Sequence, residues 1–234
     1  MEIREMFQLV PQAAEQLPRG AFLTAGGEVW NPMTIGWAQF GVVWGKPVMS
    51  VLVRKSRFTY GLMEQSSVFT VSVPHTKELA KELAFCGSRS GRDVNKQEAA
   101  GLTRLMARAG GADAVAGCGA IFECRIVQKQ LLDLSTLDPE IRKRNYGSNQ
   151  ALPDGDPHVI YVGEILAAYT ICYSKLPALK KKRSEQRRIQ IPRARTLRGG
   201  WMIRAHKVRG GGETPAGGDP PGRHGLGPMN HRTG

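Results

Sequence analysis

Apolar positions along the chain come in short runs broken by glycine, proline and charged residues, and few runs are long enough for extended helices. Phe22-Leu23-Thr24 begins a strand, and Gly26-Gly27 suits a hairpin turn behind it. Trp30 to Trp37 reads as a second strand. Pro32 within it points to a sheet edge or a bulge, because proline cannot donate to a ladder. Val48 to Val53 is the densest β-branched and apolar run and suits a buried third strand. Phe69 to Val73 alternates as a fourth. Ile121 to Gln128 makes a fifth, with Glu123 and Arg125 directed outward, and Val159 to Tyr169 a sixth. Helical spacing is confined to the stretches between them. Ser56 offers an N-cap for a helix over about Arg57 to Gln65, and Thr76 for another whose Leu79, Ala80, Leu83 and Ala84 share a face. A short helix near Val94 to Ala100, and a loop and helix over Leu132 to Arg144, complete the pattern. Without regular βα alternation, the order argues against a doubly wound parallel sheet. It predicts a mainly β protein with peripheral helices on an antiparallel barrel.

The pattern fails after about Tyr173. Lys180-Lys181-Lys182-Arg183 opens a basic run, and Gly210-Gly211-Gly212, Gly217-Gly218 and Pro220-Pro221 follow with no apolar periodicity. The expected division is a folded domain over 1–172 and a tail over 173–234. Such a tail buries too little surface to offset its ordering entropy, so disorder is expected. The change is also abrupt enough to suggest a reading-frame change or read-through in the gene near residues 169–174. Of the formal net charge of +13, residues 174–234 carry +12. Basicity therefore speaks only of the tail. Trp201 is its one aromatic beyond Tyr173, which offers little base stacking, so nucleic acid is not the expected partner. The start of the chain lacks a secretory pattern. The apolar stretch Ile160 to Tyr173 is too short to span a membrane and carries Glu164, so a soluble cytoplasmic protein is expected. Cys86, Cys118, Cys124 and Cys172 form no CxxC pair and no zinc spacing, and read as reduced thiols with no metal site.

Two segments carry candidate chemistry. Arg54-Lys55-Ser56-Arg57 sits where a strand feeds a helix, whose first turn presents free N–H groups and a favourable dipole end to an anion. Ser88-Arg89-Ser90-Gly91-Arg92 combines two hydroxyls, two guanidiniums and a glycine that allows close backbone approach. Both suit a phosphate. A solvated basic turn and a flexible surface loop account for the same residues.

The chain resembles the flavin reductase-like family of FMN-binding split barrels, flavoredoxin-type proteins included. Three segments in the family's order carry the resemblance: Asn31-Pro32-Met33-Thr34-Ile35-Gly36-Trp37, Val51 to Tyr60, and Cys86 to Lys96. A fourth and weaker match is His158-Val159-Ile160-Tyr161-Val162-Gly163-Glu164-Ile165. It extends over about residues 1–170 and implies a Greek-key-like antiparallel split β-barrel that binds FMN near the interface of a homodimer. It further implies hydride transfer between NAD(P)H and flavin, or electron delivery to a protein acceptor.

By the same resemblance, Asn31, Met33, Thr34 and Ile35 lie along the ring and ribityl chain, with Met33 as apolar contact and Thr34 as edge donor. Val53, Arg54, Lys55, Ser56, Arg57 and Tyr60 belong to the second cofactor segment. Ser88, Ser90, Gly91, Arg92, Asp93 and Lys96 belong to the ribityl-phosphate side. His158 is a candidate for the nicotinamide side or for proton movement, with hydrogen bonding at a strand start as its plainer role. Glu164 fits a ribose or interface contact, or a satisfied half-buried carboxylate. Trp30, Trp37 and Trp44 read as core or interface residues. The competing readings are a binding protein whose basic tail contacts nucleic acid or an acidic partner, and a barrel that has lost its flavin.

Overall fold

The computed structural model describes residues 7–75, 77–147 and 155–171. Within them the chain opens with α1 (Val10–Gln16) and a 3-10 turn, followed by β1 (Ala21–Ala25), β2 (Met33–Ile35), β3 (Ala38–Val43) and β4 (Lys46–Arg54). Next come α2 (Phe58–Gln65), β5 (Val68–Val73), α3 (Ala80–Ser88) and α4 (Lys96–Ala99). The small pair β6 (Arg104–Leu105) and β7 (Ala114–Val115), then β8 (Ala120–Leu131), α5 (Pro139–Tyr146) and β9 (His158–Tyr169) complete the order.

Seven strands form one sheet in the order β2-β1-β5-β8-β9-β4-β3, and every pairing is antiparallel. The sheet curls into a half-barrel. β3 and β8 are separated by two strands in that order, yet the rings of Phe40 and Phe122 meet at 5.1 Å across the concave side. Register shifts at Glu123/Cys124 and Ile126/Gln128 in β8 help to bend it, since a bulge increases local twist.

Strand parity sorts the side chains onto two cores. Leu23, Phe69, Val71, Met49, Val51, Val53, Phe122 and Tyr161 fill the concave side, closed by Met63 of α2. Phe22 and Ile121, one position off Leu23 and Phe122, point the other way. They meet Leu83 and Cys86 of α3, together with Leu102, Val115 and Cys118. β1 and β5 are thus covered on both faces, so that even their polar residues Thr24, Thr70 and Ser72 are buried.

The expected antiparallel β architecture with peripheral helices is observed, and the edge position of β2 agrees with Pro32. Several details differ. β1 and β2 pair as a hairpin, but through residues 26–32 rather than a tight Gly26-Gly27 turn. The expected strand from Trp30 to Trp37 is interrupted at Gly36, and its continuation is a separate edge strand, β3. Trp44 and Gly45, at φ 54° and 70°, turn β3 into β4; a tryptophan in the left-handed region hides this hairpin from turn signals. Ser56 does not cap α2. Arg57 is its N-cap, without a side-chain capping bond, and the Ser56 hydroxyl donates to Asp156 at 2.6 Å instead. Thr76 lies outside the described residues, as do Cys172 and the tail. Glu123 does not face outward: it is fully buried beneath residues 106–113. No helix among the described residues is long and apolar enough to cross a membrane.

Candidate functional site

β4 ends at Arg54, and the turn beyond it forms one wall of a groove of about 430 Å³. This wall presents Ser56 and Arg57, then Phe58 and Thr59 from the first turn of α2. The opposite wall is the connection from α3 to α4, with Ser88, Arg89, Ser90, Gly91, Arg92 and Asp93. Edge strand β2 supplies the floor through Met33, Thr34 and Ile35. Leu52, Arg54, Trp37 and His158 close the far end.

The two basic turns, distant in sequence, touch: Arg92 Nη1 donates to the Ser56 carbonyl oxygen at 3.2 Å, and its guanidinium lies 5.6 Å from the Phe58 ring centroid. Glycine is required at position 91. A Cβ there would stand 2.1 Å from Asn31 Oδ1 and 2.7 Å from Phe58 Cδ1. Asn31 is held in turn by donating to Thr59 Oγ1 at 2.9 Å. Asn95 caps α4 by accepting from the backbone N–H groups of Gln97 and Glu98. The helix thereby buries Lys96, whose Nζ donates to Pro32 O at 3.2 Å and Cys86 O at 2.9 Å and ties β2 to α3. Burial lowers the Lys96 pKa, partly offset by Cys86, and the Arg57 charge lowers it further. Burial pushes the Cys86 thiol up to about 11, against the opposing charge of Lys96, so it is uncharged at neutral pH.

At the far end the groove is differently built. Arg54 donates to Asn145 O at 2.8 Å and Asp156 O at 3.2 Å, and its guanidinium lies 5.0 Å from the Tyr146 ring centroid. Opposite Arg54 in the β4–β9 register stands His158, the first residue of β9. Its ring lies 4.9 Å from that of Trp37, and its Nδ1 is 2.7 Å from the Tyr146 hydroxyl. Burial, with the Arg54 charge adding to it, lowers the His158 pKa to about 4.

A family model described as flavin reductase like domain matches residues 16–183. The chain belongs to the flavin reductase like family. Membership makes it a flavin oxidoreductase in general kind. An uncharacterised protein of Archaeoglobus fulgidus is 30% identical over 144 residues, covering 61% of this chain and 79% of the relative. The FMN-binding protein from Thermus thermophilus with bound p-hydroxybenzaldehyde superposes with a TM-score of 0.50 at 22% identity, over 67% of this chain and 73% of the other. The flavoredoxin from Methanosarcina acetivorans is 25% identical with a TM-score of 0.48, over 65% of this chain and 68% of the other. The Thermus likeness bears on the fold: a flavin reductase like half-barrel of antiparallel strands.

Against this flavin reductase like frame the expected site residues divide. Met33, Thr34, Ile35, Arg54, Ser56, Arg57, Ser88, Ser90, Gly91, Arg92, Asp93, Lys96 and His158 converge on the groove. Val53 does not; it is buried in the concave core, because strand parity turns it away from the face that Arg54 occupies. Lys55 is exposed outside the groove, and Tyr60 packs against the core from α2. Asn31 lies behind the Gly91 turn and lines a second groove of about 450 Å³ with Trp30, Arg92 and Arg104. The Thr34 hydroxyl is no free edge donor, since it donates to Leu83 O at 2.6 Å. Glu164 accepts from Lys46 at 2.6 Å and pairs with Arg125, as a satisfied carboxylate would. The sequence reading missed Leu52, Gly36, Phe58, Thr59 and Gly87 as groove residues and set Trp37 elsewhere. Leu52 was accessible from parity, being two positions from Arg54; the others needed the fold.

Proposed function

We propose that the chain is an FMN-dependent oxidoreductase that passes hydride between NAD(P)H and flavin, acts as a homodimer, and delivers electrons to free flavin or to a protein acceptor. The observation that carries this reading is the convergence of the Ser56-Arg57 and Ser88-to-Arg92 turns on one groove. The donor set fits a flavin phosphate. Arg57, Arg89 and Arg92 supply charge, Ser56, Ser88 and Ser90 supply hydroxyls, and α2 supplies an N-terminus without a side-chain cap. Gly91, which a Cβ would block, lets the backbone come close. The apolar floor from Met33 and Ile35, with Leu52 and Trp37, suits a flat ring system.

When bound, the flavin itself is the hydride acceptor, and the protein supplies binding, orientation and electrostatics. Arg57 and Arg92 would neutralise the phosphate, Lys96 would keep β2 against α3, and His158 would border the ring end. The second groove, beyond Arg92 and Gly91, leaves room for a longer flavin dinucleotide beside the same turn.

The test is a titration of purified full-length protein with FMN and with FAD, followed by NADH and then NADPH under anaerobic conditions. Binding and bleaching of the flavin absorbance are expected. Arg92→Ala should weaken flavin binding by roughly ten- to a hundredfold, the worth of one charge-assisted contact. A wild-type protein that binds neither flavin, or an Arg92→Ala protein of unchanged affinity, would reject the assignment.

A further inference from the structure

We propose that Tyr146 is a positioning residue for His158. Its hydroxyl holds the imidazole in the tautomer whose Nε2–H faces the groove, where it donates to a carbonyl oxygen of the bound ring system. The proposal rests on the flavin reading above. The carbonyl belongs either to the flavin ring or to a nicotinamide carboxamide.

His158 is 7% exposed and Tyr146 equally so. The Tyr146 ring stands edge-on to the imidazole, with centroids 5.5 Å apart and planes at 90°, while Trp37 flanks the imidazole at 4.9 Å. The ring therefore has a fixed orientation. The charged groups facing it are Arg54 at the end of β4, Arg57 before α2, and Asp156 before β9. The two cations and the burial outweigh the carboxylate, so the ring is neutral and carries one proton for two nitrogens.

Counting donors chooses between the tautomers. In one, the Tyr146 hydroxyl donates to the Nδ1 lone pair at 2.7 Å, and both groups are satisfied. In the other, Nδ1–H donates to the Tyr146 oxygen, and the buried phenol hydrogen needs a second acceptor. A phenol hydroxyl is the better donor and a neutral imidazole nitrogen the better acceptor, so the first arrangement is favoured. Burial also raises the Tyr146 pKa, which keeps the hydrogen on the phenol. The first tautomer leaves the ring proton on Nε2, the nitrogen remote from Tyr146. A neutral donor there orients a carbonyl without adding charge, and it does so at pH values where an ordinary histidine would titrate.

Full-length protein with 15N-labelled histidine tests the assignment, with His158→Gln identifying the signal. Two-bond proton–nitrogen spectra should show His158 protonated on Nε2. In Tyr146→Phe, checked for folding by thermal melting, the signal should move to a mixture of tautomers and its pKa should rise. The carbonyl contact is read separately. Tyr146→Phe should change either the FMN dissociation constant or the KM for NADH by roughly fivefold, the worth of one neutral hydrogen bond. A change in FMN affinity assigns the carbonyl to the flavin; a change confined to KM assigns it to the carboxamide. A wild-type ring protonated on Nδ1, or a folded Tyr146→Phe protein with an unchanged tautomer and both constants unchanged, would overturn the proposal. The predicted tautomer in a protein whose flavin NADH does not reduce would leave the positioning intact and reject the functional reading instead.

Discussion

Glu123 has the most concentrated set of hydrogen bonds in the described chain. Its carboxylate accepts from the backbone N–H groups of Arg108 and Ala109 at 2.7 Å each and Gly111 at 3.2 Å, and from the Tyr169 hydroxyl at 2.7 Å. The arrangement is dense because Gly111 lies against the side chain; a Cβ there would be 2.7 Å from Glu123 Cβ. Glu123→Gln turns one acceptor oxygen into a donor facing N–H groups, and roughly 3 kcal/mol of stability should be lost, measured by urea denaturation. Hydrogen exchange should accelerate first at residues 107–111. His158 gives a residue-scale prediction of a different kind. Its folded pKa of about 4 lies below the unfolded 6.5, so the unfolded chain binds more protons between them. Its contribution to stability is full above about pH 6.5 and is lost as pH falls toward about 4. Denaturant midpoints should drop over that window, and His158→Gln should flatten the part above pH 5, where carboxylates contribute little. His158 was legible in the sequence as the first residue of a strand. Glu123 was not, because alternation assigns a strand residue to a face and says nothing of a loop that later covers that face.

At the scale of elements, β9 is matched to its neighbours by Gly163. A Cβ there would come within 2.5 Å of the Phe69 ring and 2.8 Å of Cys124 Cβ. Gly163→Ala is expected to cost about 1–3 kcal/mol, as overpacking of a filled core does, and thermal melting would read it. Among the central strands, β4 could be read from the sequence because burial makes it apolar over most of its length, and β5, β8 and β9 from their β-branched and aromatic runs or alternation. β3 could not. Its residues, Ala38 to Val43, are partly or fully exposed, and the turn that ends it uses Trp44 at positive φ. From the residue types alone the groove was legible in its charged walls, while Met33, Thr34, Ile35 and His158 were expected only through the family resemblance. Arginines and serines beside a glycine announce phosphate chemistry by type, whereas Leu52, Phe58 and Trp37 look like any core residue until parity and curling bring them to one place. Arg54 shows the reverse: its type matched the chemistry, but its donors are engaged by Asn145 and Asp156.

At the scale of the whole molecule, the half-barrel leaves β3 as an edge strand that, among the described residues, pairs only with β4, and its tip exposes Val42, Val43 and Trp44. An apolar, unpaired edge of this kind calls for a cover. In the proposed homodimer, a second copy supplies it. Trp44→Glu is then expected to shift the protein from dimer to monomer in light scattering after size-exclusion chromatography. A wild-type protein that runs as a monomer at micromolar concentration would reject the dimer. The strand order also bears on biosynthesis. Among the described residues β9 is the only strand that joins β2-β1-β5-β8 to β4-β3, and it is the last described element of the chain. During translation the growing polypeptide can hold two separate sheet fragments but cannot unite them. Only once residues 158–164 have left the ribosome can His158 come opposite Arg54 and the far end of the groove take shape. Nascent chains arrested before residue 158 should therefore stay protease-sensitive, however long they are held.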